Sequence, residues 1–391
     1  MLLICDRLKN VQVKFISEFR DPEQVKLLLE KIKTTVTKRW SVMEVCGGQT
    51  HSLVKNGIIN MLPDEITMVH GPGCPVCVTP PHLIDQAVEL SQKKGVILCS
   101  FGDMIRVPGN SMSLLQAKAR GADVRILYSP LDAVKIAAEN QDKEVVFFAV
   151  GFETTAPANA LAVIQAKKMK IKNFSILVSH VLVPPAIKAV MDDPDTRVDA
   201  FLAAGHVMTV MGFQDYFSLV EDYKIPIVIT GFEPVDLLQG ILMVVSQLEK
   251  GQFSLENQYT RIVNPQGNPA AMDVMREVFE VAPQQWRGIG EIPDSGFRLK
   301  DTYQTFDAAQ RFELKSAKSA ENSDCIAGLV LKGIKKPVEC PMFGKVCTPE
   351  NPLGAPMVSS EGACAAYYHF ATVFPDRIKD ERSGGSLTKD I

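Results

Sequence analysis

The run Val145-Val146-Phe147-Phe148-Ala149-Val150, closed by Gly151-Phe152-Glu153, decides the fold class. It is a short apolar stretch rich in β-branched residues, followed by a turn and then by an amphipathic helical pattern. Outward from it the same phrase recurs between about Trp40 and Thr230. It predicts strands at Val42–Val45, Ile66–Val69, Val96–Ser100, Val124–Tyr128, Val145–Val150, Ser175–Ser179, Ala200–Ala203 and Ile225–Thr230. Alternation of strands with helices predicts parallel sheets, and eight strands divide into two four-stranded α/β units near Lys143. After Thr230 the rhythm stops. A helix is expected over Val235–Lys250, then an irregular segment rich in Gly, Pro and Cys to about Tyr368. Such a segment buries little core by itself, so a bound metal or packing against an N-terminal helix (Pro22–Thr37) is expected to stabilise it. The expected class is α/β: parallel-sheet domains at 38–142 and 143–234 facing a cleft, and a smaller, discontinuous, cysteine-rich third domain at 15–37 with 235–378. A flexible polar tail is expected at 379–391.

At 391 residues the chain exceeds one ordinary hydrophobic core. A hydrophobic content of 46% and a formal net charge of -3 suit a globular protein, and no dense Lys/Arg run attracts nucleic acid. No stretch approaches the roughly 18 apolar residues of a membrane span. The start, Met1 to Phe15, is broken by Asp6, Arg7 and Lys9, too short and charged for a signal-peptide core. Nucleic acid and membrane are therefore not expected partners, and the cytoplasm is the expected compartment. There, nine cysteines read as metal ligands or redox thiols rather than as a disulfide framework.

In open parallel sheets, ligands bind beyond the carboxyl ends of the strands, and the unusual motifs fall at that edge. Cys46-Gly47-Gly48-Gln49-Thr50-His51 follows the first strand, Gly71-Pro72-Gly73-Cys74-Pro75-Val76-Cys77 the second, and Phe101-Gly102-Asp103 the third. Glu153-Thr154-Thr155, His180, His206 and Glu233 occupy equivalent places in the second unit. Cys74 and Cys77 have the spacing of a reversible disulfide at a strand-to-helix turn, and no second C-x-x-C completes a zinc knuckle. Cys46 precedes two glycines that let backbone approach a ligand closely. His206, beside Gly205 at a strand end, is the best imidazole ligand, followed by His180. His70, His82 and His369 read as packing residues, as do Cys5 and Cys99. Glu153 and Glu233, each after Gly-Phe, serve either as helix caps or as paired site carboxylates. Cys325, Cys340, Cys347 and Cys364 suit a tetrahedral thiolate site, and their wide gaps favour a [4Fe–4S] cluster over zinc. No G-x-x-x-x-G-K-[ST] loop and no G-x-G-x-x-G after a strand supports nucleotide binding.

CGGQTH, GPGCPVC and GFETTAP, in that order and followed by four spaced cysteines, resemble the HypD family of hydrogenase-maturation proteins over about Phe15 to Arg377. The resemblance implies two α/β domains and a third carrying a [4Fe–4S] cluster on Cys325, Cys340, Cys347 and Cys364. It implies a metallocentre-assembly scaffold rather than a conventional turnover enzyme. A HypC-type small chaperone and a HypE-type cyanide donor are the implied partners, with the hydrogenase large subunit indirectly. Cys46, with His206, becomes the thiolate site for a transient Fe(II) carrying cyanide and carbon monoxide; Cys74 and Cys77 become the redox pair. The competing reading is a stand-alone thiol-disulfide oxidoreductase of the ferredoxin-thioredoxin reductase type, which leaves Cys46 idle.

Overall fold

The computed structural model describes residues 17–314 and 324–370. The leader, Cys5 and the expected tail at 379–391 lie outside the described residues. All eight expected strands are present, with ends moved by one or two residues: β1 (Trp40–Glu44), β2 (Ile66–His70), β3 (Val96–Ser100), β4 (Val124–Ile126), β5 (Glu144–Gly151), β6 (Phe174–His180), β7 (Ala200–Ala204) and β8 (Ile227–Thr230). Three more follow: β9 (Leu255–Asn257), β10 (Phe279–Trp286) and β11 (Gly290–Leu299).

The strands do not sort at Lys143. One sheet runs β2-β1-β7-β8-β9 and the other β4-β3-β5-β6, all parallel. The chain begins one sheet with β1 and β2, builds the whole second sheet, and returns to complete the first. Pairing of Val42 with Ala200 and of Glu44 with Leu202 makes that return. An apolar run encodes that a segment is a strand. Which strand lies beside it depends on side-chain packing between distant segments, which periodicity does not carry.

The rhythm also continues beyond Thr230. Leu255–Asn257 pairs with β8, and β10 and β11 form an antiparallel hairpin. The Pro22–Thr35 helix starts on an Asp21 cap with proline in its first turn. It packs on the Pro234–Glu249 helix, and its Leu28 and Ile32 share a core with Val42, Leu202, Leu237 and Ile241. Both helices thus cover the five-stranded sheet rather than the cysteine segment. That segment is held differently: its last helix, Ala363–Phe370, lies on the Gly47–Lys55 helix that carries most of CGGQTH. Phe152 and Trp286 pack together between the two sheets, in one core with Cys46 and Val78.

Candidate thiol site

Each residue of Cys46-Gly47-Gly48-Gln49-Thr50-His51 has a distinct task. Cys46 leaves β1 in extended conformation and precedes the Gly47–Lys55 helix. A side chain on Gly47 would overlap the backbone of Glu361, and Gly48 sits under the Phe232 ring. Gln49 ties the helix to the ends of β7 and β8 by donating to Ala203 O at 3.2 Å and Thr230 Oγ1 at 2.7 Å. The Thr50 hydroxyl donates to Glu44, and His51 Nδ1 lies 3.0 Å from Ser360 O. That leaves two uncommitted polar groups in the motif, the Cys46 thiol and the buried Gln49 Oε1, which meets no partner among the described residues.

That thiol is 3% exposed and lies 3.8 Å from His206 Nδ1. Burial pushes the Cys46 pKa up, with smaller contributions of the same sign from Glu361 and Glu44, and it pulls His206 down to about 4. The pair therefore rests as neutral thiol beside neutral imidazole. A metal bound there displaces the thiol proton and meets one soft and one borderline donor. The imidazole is oriented by the Phe232 ring at 5.2 Å.

The Gly71-Pro72-Gly73 loop packs directly against the backbone around Cys46. Gly71 N donates to Glu44 O at 2.8 Å, Gly47 N donates to Gly73 O at 2.9 Å, and a Cβ on Gly73 would overlap the Cys46 backbone. Immediately beyond, Cys74 and Cys77 are joined by a disulfide whose Cα atoms are 5.2 Å apart. Both cysteines are buried, at 3% and 1% exposure.

Sequence reading missed the support beneath Cys46. Glu44 is fully buried at the last position of β1 and accepts from Cys46 N at 2.9 Å and from the Thr50 hydroxyl. In register beside it on β2, His70 places Nδ1 2.6 Å from Glu44 Oε1, and His70 Nε2 is 3.0 Å from the Tyr367 hydroxyl. The available signal was a pair of ionisable residues ending two adjacent apolar runs.

Glu153 and Glu233 diverge. Glu233 starts the Pro234–Glu249 helix and its carboxylate is taken up by Arg20 through two hydrogen bonds. Glu153 is 2% exposed; Oε1 accepts from Val183 N at 2.8 Å, while Oε2 meets no partner among the described residues. Burial pushes its pKa up to about 7, helped slightly by Asp215. His180 lies with Asn159 at 2.6 Å among Phe279 and Phe297, and burial pulls it down to about 3. It is a core imidazole, not a neighbour of Cys46. Because the folded state holds the Glu153 proton longer than the unfolded chain, this group costs stability as pH rises from about 4.5 to about 7. Glu153→Gln removes that cost. The variant should match wild type at pH 4 and exceed it by on the order of 2 kcal/mol at pH 8, read by urea unfolding.

The four C-terminal cysteines come from a loop, one shared turn and the start of a helix. Cys340 and Cys347 flank one tight turn, in which Phe343 N donates to Cys340 O at 3.0 Å and Gly344 N to Cys347 O at 3.1 Å. Cys364 opens the last helix, and Cys325 faces Gly354. The thiols are close enough to act on one another: after burial, Cys325, Cys347 and Cys340 raise the Cys364 pKa. Among the described residues no three His, Cys, Asp or Glu side chains close around a single ion. Four sulfurs serving four irons stand farther apart than four sulfurs about 2.3 Å from one zinc. By chemistry alone, an all-sulfur donor set suits an iron–sulfur cluster or a tetrahedral thiolate ion such as zinc. A cavity of about 310 Å³ lies against Cys325, bounded also by Pro108, Arg287 and Gly354.

Comparison with known proteins now joins these motifs to a family. A family model described as the hydrogenase formation hypA family, HypD, matches residues 23–371. The chain belongs to the HypD family. It is 47% identical to the hydrogenase maturation factor HypD of Rhodobacter capsulatus over 370 residues, covering 92% of this chain and 98% of that one. It is 45% identical to the HypD of Escherichia coli (strain K12) over 366 residues, covering 92% and 98%, and 45% identical to that of Azotobacter vinelandii, covering 92% and 97%. Its function is hydrogenase maturation, as in these HypD relatives. No helix among the described residues is long and apolar enough to cross a membrane.

Proposed function

We propose that this HypD chain is the cytoplasmic scaffold on which, with a HypC-type chaperone and cyanide delivered by a HypE-type donor, the Fe(CN)2CO unit is assembled for the hydrogenase large subunit. The observation that carries the reading is the Cys46 thiol at 3.8 Å from His206, set on the backbone of the loop that bears the Cys74–Cys77 disulfide. Iron is the cargo. Cyanide and carbon monoxide make it low-spin Fe(II), which a thiolate with an imidazole companion suits. Cys46 supplies the thiolate, and Glu44, Thr50 and Gln49 fix the direction from which it points.

The third, cysteine-rich region would hold a [4Fe–4S] cluster on Cys325, Cys340, Cys347 and Cys364. When bound, the cluster supplies electrons singly. The Cys74–Cys77 disulfide takes up two electrons and two protons to become a dithiol, and so stores a reducing pair next to Cys46. Burial of both sulfurs weighs against the oxidoreductase alternative, since a partner protein's disulfide has no exposed thiol to meet.

The test separates redox from metal retention. Cys74→Ala should abolish maturation of hydrogenase in a host lacking its own copy, while the purified variant keeps the iron content of wild type. Normal maturation in that variant would leave the protein a metal-binding scaffold with no redox step.

A further inference from the structure

The cysteine segment and the Cys46 loop are far apart in sequence, yet one buried chain of hydrogen bonds connects them. Tyr367 sits on the Ala363–Phe370 helix, one turn after Cys364, and is 4% exposed. Its hydroxyl meets His70 Nε2 at 3.0 Å, His70 Nδ1 meets Glu44 Oε1 at 2.6 Å, and Glu44 Oε2 accepts from Cys46 N at 2.9 Å. With His70 in the neutral tautomer that carries its proton on Nδ1, the imidazole donates to Glu44 and accepts at Nε2 from the Tyr367 hydroxyl. Each member thus fixes the next. His70 is 2% and Glu44 0% exposed, so no water replaces a lost partner without opening the site.

We propose that Tyr367, His70 and Glu44 are positioning residues that make the seating of the Cys364 helix a condition for holding Cys46 in place. The inference rests on the scaffold reading above and deepens it: a chain whose cluster segment is incomplete would hold its cargo thiol loosely. His51, whose ring meets Phe370 at 5.2 Å, joins the Cys364 helix to the Gly47–Lys55 helix but does not reach the Cys46 backbone.

The experiment is site-resolved alkylation of the full chain with iodoacetamide under anaerobic conditions, read by mass spectrometry, with iron measured in parallel. Cys99, fully buried in β3 and outside this chain of bonds, is the internal control. Tyr367→Phe should raise the Cys46 rate about tenfold, with Cys99 and iron content unchanged. Cys340→Ala, which removes one cluster ligand, should raise it by a similar factor. An unchanged Cys46 rate in Tyr367→Phe overturns the proposal. So does an equal rise at Cys99, because the hydroxyl would then serve general stability only. Iron-free wild type reacting as slowly as iron-loaded wild type would count against the cluster, while the Tyr367→Phe comparison still decides the positioning role.

Discussion

Replacing Cys46 with alanine is expected to abolish hydrogenase maturation while leaving the chain folded. The other members of CGGQTH are engaged in packing or hydrogen bonds, apart from the unpaired Gln49 Oε1, and on the scaffold reading the Cys46 side chain is the one that carries chemistry. Losing one buried sulfur should cost about 1 kcal/mol of stability. Losing a ligand should lower maturation by about 100-fold or more, since outer-shell changes alone cost 10–100-fold. Cys46→Ser fills the space without supplying a soft thiolate and should fail as completely. His206→Ala, which removes the weaker companion at 3.8 Å, should lower maturation by about tenfold. Hydrogenase activity in a complemented deletion strain, with thermal unfolding of each purified variant, measures both effects. A Cys46→Ser variant with wild-type activity would move the iron site elsewhere.

A large stability effect is expected at Gly73. A methyl group there would overlap the nitrogen and Cα of Cys46 and the carbonyl carbon of Val45. These are backbone atoms pinned by Gly47 N to Gly73 O at 2.9 Å and by Val45 N to Leu202 O at 3.2 Å, so no flexible side chain can yield. Gly73→Ala should therefore cost about 3 kcal/mol, the upper range of overpacking, and should displace Cys46 enough to stop maturation. Gly95→Ala is the comparison. Gly95 has φ +81° and nothing near its Cβ, so the backbone conformation alone should cost about 1 kcal/mol with maturation intact. Denaturant unfolding orders the two variants, and a smaller loss at Gly73 than at Gly95 would mean that the loop does not press on Cys46.

The sequence carries strands better than it carries neighbours. Val145–Val150 and its seven companions are legible because each is a local apolar run with turn residues after it. Nothing local tells β1 to pair with β7, across most of the second sheet's sequence. The strands after Thr230 were missed for a related reason. Leu255–Asn257 is three residues long, and Phe279–Trp286 is buried only at its two ends, with half-exposed and exposed residues around Pro283 instead of an apolar run.

At the site, what was legible is what unusual residue types announce. Cys46, His206 and the Cys74–Cys77 pair stand out because glycines and strand ends surround them. Glu44 falls unmarked inside an expected strand and His70 reads as a packing residue, since the partner that gives His70 its role, Tyr367, is 297 residues away. The repeated Gly-Phe-Glu suggested two equivalent carboxylates, yet repetition of a turn does not fix what meets it. Val183 N receives Glu153, and Arg20 takes Glu233.

Metal content decides the central claim, that a cluster-bearing segment and a cargo thiolate work together in one chain. The wild-type protein and Cys340→Ala, purified without oxygen, should be compared for iron, zinc and visible absorption. The scaffold reading predicts about four irons per wild-type chain with the broad absorption of a [4Fe–4S] centre, both lost in the variant. One zinc per chain and no visible absorption would contradict it, leaving the Cys74–Cys77 pair without an electron source inside the molecule.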